Sequence, residues 1–266
     1  MYQTTYHRAS SIDEAVRLLS QAEDAKFVAG GQTLIPTMKQ RLAAPSDLID
    51  LRHIPELKGI TVSGNSVRIG AGTPHVEVAN SQELKTVCPA ICSLASHIGD
   101  PHVRHMGTIG GSIANNDPAA DYPSAMLALK ATIHTSKRDI PADDFFVGLF
   151  ETALETDEII TAVSFTAPQK AGYAKFPNPA SRYAMTGVFV AQHGDGVRVA
   201  VTGAGENGVF RAAELESRLN GSFDEAALQG AVVSSSGLIS DIHASAEYRA
   251  NLIVVMAKRA VAAANG

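Results

Sequence analysis

Apolar residues in this chain fall mostly in short alternating runs, and only a few stretches carry them at helical spacing. The clearest helical face is Ile12, Ala15, Val16, Leu18 and Leu19. Ser11-Ile12-Asp13-Glu14 opens it as a capping box, in which Ser11 and Glu14 satisfy amides that a first turn leaves unpaired. The helix is expected to run to about Gln21. Thr4 to His7 and Lys26 to Ala29 read as short strands on either side of it. Leu34 to Gln40 reads as a helical turn, with Pro36 early enough to be tolerated, and Leu48 to Leu51 as another strand. Near Ile54 the pattern restarts. Ile60-Thr61-Val62 and Val67-Arg68-Ile69-Gly70 alternate around Ser63-Gly64-Asn65, a hairpin signal. Helices are expected from Thr73-Pro74 to Ala79, from Pro89 to His97, where Gly99 and Pro101 stop the run, and from Pro123 to Lys130. Thr132 to Thr135 and Ile159 to Phe165 read as strands. Ala167 to Gly172 reads as a linker and Val188 to Val201 as β-rich. Helices are then expected at Ala212 to Leu219, Glu225 to Val233 and Ala246 to Ala263. The change of pattern divides the chain into residues 1–166, in two parts of about 1–53 and 54–166, and residues 170–266.

The chain has 266 residues, room for two modest domains or one large one. Its 45% hydrophobic and 18% charged residues are those of a globular protein. A net charge of −5, with no basic stripe, argues against nucleic acid as a partner. The longest apolar runs, Ile91 to Ala95 and Leu252 to Ala257, are far too short to span a membrane. Met1 to His7 lacks a basic segment followed by an apolar one, so a cytoplasmic protein is expected. Two cysteines, Cys88 and Cys92, cannot build a disulfide framework or a four-thiolate iron–sulfur or zinc site. They read as reduced thiols packed in a helix.

Three glycine-rich segments compete for chemistry. Gly203-Ala204-Gly205-Glu206-Asn207-Gly208 fits G-x-G-x-x-G, but a dinucleotide fold needs that loop after its first strand, with several βαβ units still to come. Fewer than sixty residues follow it, and they read as helices; a turn is preferred. Ala29-Gly30-Gly31-Gln32-Thr33 and Thr108-Ile109-Gly110-Gly111-Ser112 differ. Each joins an apolar run to a glycine pair and a small polar residue, so backbone N–H groups can converge on an anion with no Cβ in the way. Two such loops suggest a clamp on a diphosphate.

Around them run Phe27-Val28-Ala29-Gly30-Gly31-Gln32-Thr33-Leu34-Ile35-Pro36 and the long segment from Ile98-Gly99-Asp100-Pro101 through Thr108-Ile109-Gly110-Gly111-Ser112 to Asn115-Asn116-Asp117-Pro118-Ala119-Ala120-Asp121-Tyr122-Pro123. These motifs, with Asp157-Glu158-Ile159-Ile160, Tyr173-Ala174-Lys175-Phe176 and Ala180-Ser181-Arg182-Tyr183, resemble the FAD-binding medium subunit of the molybdenum hydroxylases. That family includes the flavoproteins of xanthine dehydrogenase-like enzymes and of aerobic carbon monoxide dehydrogenase. The resemblance covers essentially the whole chain. It implies an α+β fold: a vanillyl-alcohol-oxidase-like (PCMH-type) FAD-binding domain of two subdomains, and a small α+β C-terminal domain that helps cover the flavin.

The resemblance also implies roles. The FAD pyrophosphate would lie between Phe27, Val28, Ala29, Gly30, Gly31, Gln32, Thr33 and Leu34 on one side and Thr108, Ile109, Gly110, Gly111 and Ser112 on the other. Neither loop contains Lys or Arg, so backbone amides and the side chains of Gln32, Thr33, Thr108 and Ser112 would be the donors. Asp121 matches the acidic residue on the FAD sugar; as a residue it equally suits the start of a helix. Ile98 and Ile160 match apolar contacts to the flavin ring, although pattern alone makes both core residues. Lys175 aligns with a lysine near the flavin, against the plain reading of a solvated surface lysine. Tyr183 is a further ring-proximal position.

No Ser–His–Asp or paired-carboxylate constellation stands out, which agrees with a protein whose bound cofactor does the chemistry. His97, His102 and His105 cluster in sequence, but the surrounding prolines and glycines place them on a loop, and the third ligand a zinc site would need is missing. The resemblance implies a heterotrimer with a large molybdopterin-binding subunit and a small subunit carrying two [2Fe–2S] clusters, often doubled by symmetry. Electrons would pass through those clusters to this FAD and on to NAD+, a quinone or another acceptor. The alternatives are a stand-alone flavin oxidase or reductase of the same superfamily and a scaffold subunit without flavin.

Overall fold

The computed structural model describes residues 1–266. Its elements are best followed sheet by sheet. The first sheet is three-stranded and parallel, in the order β1 (Thr5–Arg8), β3 (Asp47–Asp50), β2 (Ala25–Val28). Helix α1 (Ile12–Gln21) and the short α2 (Leu34–Lys39) connect its strands. The Ser11 side chain accepts from the Glu14 amide (3.2 Å), while Glu14 reaches back to the Ser10 amide (2.8 Å), one residue earlier than in a standard capping box.

The second sheet is antiparallel, in the order β4 (Ile60–Ser63), β5 (Ser66–Gly70), β10 (Ile160–Thr166), β6 (Thr132–Thr135), β7 (Asp139–Pro141). Between β5 and β6 the chain forms six short helices: α3 (His75–Asn80), α4 (Gln82–Val87), α5 (Pro89–Ser96), α6 (Pro101–Met106), α7 (Ile109–Asn115) and α8 (Tyr122–Ala128). After β7, one turn of helix α9 (Ala142–Phe145) leads into a small hairpin, β8 (Phe146–Gly148) and β9 (Glu151–Thr152).

The third sheet is antiparallel, β11 (Lys170–Pro177), β12 (Ala184–His193), β13 (Gly196–Thr202) and β14 (Phe210–Arg211) in that order. Helices α10 (Ala213–Gly221) and α11 (Ala246–Asn265) cover one face of it, and α5 and α8 approach the other. That explains why β12 reads as a continuous apolar run: a strand covered on both faces has no polar side to show. Val188 and Val190 join the cluster beneath α11, whereas Phe189 and Ala191 join the main core with Tyr173, Ile91 and Ala125. No helix is long and apolar enough to cross a membrane.

Four local expectations change. Ala167 to Gly172 is not all linker, because β11 starts at Lys170, paired with Gln192. His102 and His105 lie on helix α6 rather than a loop: the Asp100 side chain caps the Val103 amide (3.0 Å) and Pro101 occupies the first turn. The Glu225 to Val233 helix shrinks to a 3-10 turn, Glu225–Leu228. Gly230, at φ +65°, takes the chain out of helical geometry just after it. The segment Gly203-Ala204-Gly205 leads through a turn into β14, not directly into a helix, and Gly203 donates to the Pro118 carbonyl (2.8 Å).

Candidate functional site

A cleft of about 690 Å³ runs between the first two sheets and is bounded at one end by residues 181–183 of the C-terminal half. That is within the size range of small-molecule and cofactor sites. Both glycine pairs line it, and they face one another. A Cβ on Gly30 would run into the carbonyl oxygen of Met106, at the end of α6. Gly111 lies 4.0 Å, measured from an added Cβ, from the methyl group of Ala29.

The two loops are chemically unlike. In the first, the amides of Ala29, Gly30, Gly31, Gln32 and Thr33 donate to no protein group. Gly31 sits at φ +68°, a left-handed conformation that turns the loop and that a side chain would strain. In the second, the amides from Ile109 to Ser112 are already bonded, and only that of Thr108 donates to no protein group. Ile109 donates to the Thr73 carbonyl (3.2 Å), Gly110 to Ala71 (2.8 Å) and Ser112 to Thr108 (3.0 Å). Gly111 donates to the Thr108 hydroxyl oxygen (3.2 Å). The expectation that both loops offer backbone amides is therefore corrected for Ile109 to Ser112. The second pair is the first turn of α7, capped by Thr108, and the free donors of this loop are the Thr108 amide and the hydroxyl groups of Thr108 and Ser112. Gly110 is glycine because an added Cβ would stand 2.5 Å from the Ala71 Cβ.

Of the residues expected in the site, Phe27 to Leu34, Ile98, Thr108, Gly110, Gly111, Ser112, Asp121, Ile160 and Tyr183 all line this cleft. Ile109 is fully buried in the main core and anchors the loop from behind. Lys175 also lies behind the wall. It is no surface lysine: its side chain is 4% exposed, its ammonium lies 2.9 Å from Asp121 Oδ1, and it donates to Oδ2 (3.0 Å) and to the His97 carbonyl (3.1 Å). The hydroxyl of Tyr173, also on β11, donates to Asp121 in a short hydrogen bond. Burial lifts the Asp121 carboxyl above its ordinary pKa, with Lys175 and then Tyr173 pulling it back. Tyr183 is half exposed at the rim.

Sequence reasoning gave no role to Tyr173, although it stood inside a quoted motif, and missed His75 and the stretch from Thr152 to Thr156 of the cleft wall. His75 is buried, its Nδ1 without a partner, and desolvation pushes its pKa down to about 4. It is thus a neutral imidazole, and no spacing in the sequence marks it. Glu158 is anchored by Arg138 and by the Glu155 amide (2.9 Å).

Unpaired amides at one point of the cleft, a buried carboxylate at another and apolar walls at Ile98 and Ile160 suit an elongated anionic cofactor with an apolar ring, held by a protein of α+β architecture. The family model for the FAD binding domain in molybdopterin dehydrogenase matches residues 2–168, and that for the CO dehydrogenase flavoprotein C-terminal domain matches residues 173–264. The chain is 38% identical to the nicotine 6-hydroxylase medium subunit of Paenarthrobacter nicotinovorans, over 96% of this chain and 95% of that one. It is also 38% identical to the carbon monoxide dehydrogenase medium chain of Afipia carboxidovorans, over 96% and 94% of the two chains. Among solved structures, quinoline 2-oxidoreductase from Pseudomonas putida 86 superposes with a TM-score of 0.89 at 28% identity, covering 99% of this chain and 98% of that one. Carbon monoxide dehydrogenase from Hydrogenophaga pseudoflava gives 0.87 at 34% identity, covering 98% and 97%. The chain belongs to the FAD-binding medium subunits of the molybdenum hydroxylases, a family of oxidoreductases.

Proposed function

We propose that this chain carries FAD along the cleft and works as the electron-transfer subunit of a cytoplasmic heterotrimer. It takes electrons from the [2Fe–2S] clusters of a small subunit, with molybdopterin on a large one, and passes them to NAD+, a quinone or another acceptor. The observation that carries this reading is the row of free amides from Ala29 to Thr33, the one part of the cleft able to neutralise a diphosphate without Lys or Arg. The remaining residues fit the group as well. Thr108 and Ser112 close on the diphosphate with hydroxyl donors. An ionised carboxylate offers about four acceptor positions; Tyr173 takes one on Oδ1 and Lys175 one on Oδ2, which leaves room for a sugar hydroxyl. Ile98 and Ile160 supply apolar surface for the ring, and Tyr183 covers it from the C-terminal side. Lys175 acts through Asp121 and does not line the cleft itself.

When bound, FAD supplies one- and two-electron redox chemistry. The chain's own residues bind and orient it and exclude water. Electrons must enter from elsewhere, since Cys88 and Cys92 are buried packing residues, their thiols pushed up to about 12 and about 11 mainly by burial. Two thiols also cannot hold a cluster. The test is purification through a tag on this chain from its own cells, with flavin, iron and molybdenum measured across the same gel-filtration peak. Coincident FAD, iron and molybdenum are expected. A chain that elutes alone with FAD and oxidises an organic substrate unaided would instead be a stand-alone flavin enzyme.

A further inference from the structure

The C-terminal half does more than cover the cleft. Strand β11 sends two side chains across to the carboxylate that ends the second motif, and Tyr173 and Lys175 reach Asp121 from the same edge of the third sheet. All three are nine-tenths or more buried. The Tyr173 ring is held on its other side by Phe189, with centroids 6.1 Å apart. A carboxylate in such surroundings stays ionised and aimed only while its donors are in place.

We propose that Tyr173 is a positioning residue for FAD: through its hydroxyl it holds Asp121 ionised and oriented toward the sugar of the bound cofactor, so that the cofactor site is completed by the C-terminal half. This rests on the reading of Asp121 as the sugar ligand. Lys175 alone cannot do the same task, because its ammonium spans both oxygens and fixes the charge without fixing which lone pair stays open. Tyr173 takes a position on Oδ1 while Lys175 donates to Oδ2, so the hydroxyl fixes the rotation of the carboxylate that the ammonium alone leaves open. The other titratable groups facing Asp121 are His97 at the end of α5, its chain neighbour Tyr122 and, farther out, Tyr183.

The test uses the full chain stripped of FAD, with FAD titrated back and followed by flavin fluorescence between pH 5 and 8. Tyr173→Phe keeps the ring against Phe189 and removes only the hydroxyl. Its Kd for FAD is expected to rise about tenfold at pH 7, the scale set by one hydrogen bond to a charged group. The pH at which affinity falls away in acid is expected to move upward, because the carboxylate has lost a donor that favours its charged form. In an Asp121→Asn background the same change should have almost no further effect, since both changes break one interaction. A Tyr173→Phe protein whose affinity drops by one factor at every pH, and which drops it equally in the Asp121→Asn background, would show a merely structural tyrosine and overturn the proposal. If Asp121→Asn alone leaves the affinity unchanged, the assignment of Asp121 to the sugar fails and this proposal falls with it. A loss in Asp121→Asn with none in Tyr173→Phe sinks the positioning role alone.

Discussion

Replacing Lys175 with Met would leave the Asp121 carboxylate buried with no cation beside it. Lys175 and Asp121 are 4% and 5% exposed at their side chains, so water cannot take over the lysine's task. Removing one partner of a buried ion pair costs about 3–5 kcal/mol, most of it the desolvation of the charge left behind. For a chain of this length each kcal/mol moves Tm by about 2–4 °C, so a fall of about 10 °C is expected at pH 8 in protein stripped of FAD. Methionine fills similar volume and keeps the packing against α5, which confines the effect to charge. The pH dependence separates this account from a general packing loss. Burial already raises the Asp121 carboxyl, and Lys175 is the first of the groups that pull it back. Without Lys175 the folded-state pKa rises further above its unfolded value. The folded state then holds a proton that the unfolded state has released, so stability declines as pH rises through that window. The Tm deficit against wild type is therefore expected to be small near pH 5 and largest near pH 8. Differential scanning calorimetry in matched buffers measures it. A deficit equal at both pH values, or under about 2 °C at pH 8, refutes the reasoning.

Gly31→Val should lose bound FAD while the far-ultraviolet circular dichroism spectrum stays near wild type. A left-handed residue with a side chain costs about 1–2 kcal/mol, and the new Cβ would stand 2.9 Å from Ile35, forcing the free amides out of line. Burial alone would raise the Glu158 carboxyl, but Arg138, the Glu155 amide and Thr135 hold it at about 2. Its stabilising contribution is present above its unfolded pKa of about 4.3 and is lost as pH falls toward about 2. Wild type should thus lose Tm more steeply than Glu158→Gln over that range. Parallel curves would mean that the carboxylate carries no linked stability. Cys88 and Cys92 should resist a thiol reagent at pH 8 in the native protein and both react once it is unfolded.

Caps, hairpins and the long helical face were legible because their signals are local. Ser11 and the Ser63-Gly64-Asn65 turn do what their residue types dictate. Strand β11 was not, since Ala167-Pro168-Gln169-Lys170 has the composition of a loop, and its strand character comes from pairing with β12 after the intervening turn. The consequence reached the site, because Lys175 and Tyr173 had no strand to sit on and Lys175 could be read as a solvated side chain. The second motif was legible as a whole through resemblance. What each of its residues does physically was not, because His75, Ala71 and Thr73, which satisfy or pack against it, lie about thirty-five residues earlier.

The two glycine pairs carry the same local signal and answer different needs. Gly30 and Gly31 let a loop with unpaired amides turn and pass close beneath Met106. Gly110 and Gly111 spend their amides on Ala71 and Thr108, and their missing side chains bring α7 against β5 and leave a gap opposite Ala29. The first loop therefore offers most of the donors, and the second, besides its hydroxyl groups, sets the distance across which they act. A diphosphate needs both, because amides aimed into open solvent gain little over water, and a narrow slot without donors would leave a desolvated anion unpaired. The spacing between the motifs in sequence is thus a consequence of topology. The chain must run through α2, β3, the β4–β5 hairpin and helices α3 to α6 before α7 can return to face the loop after β2.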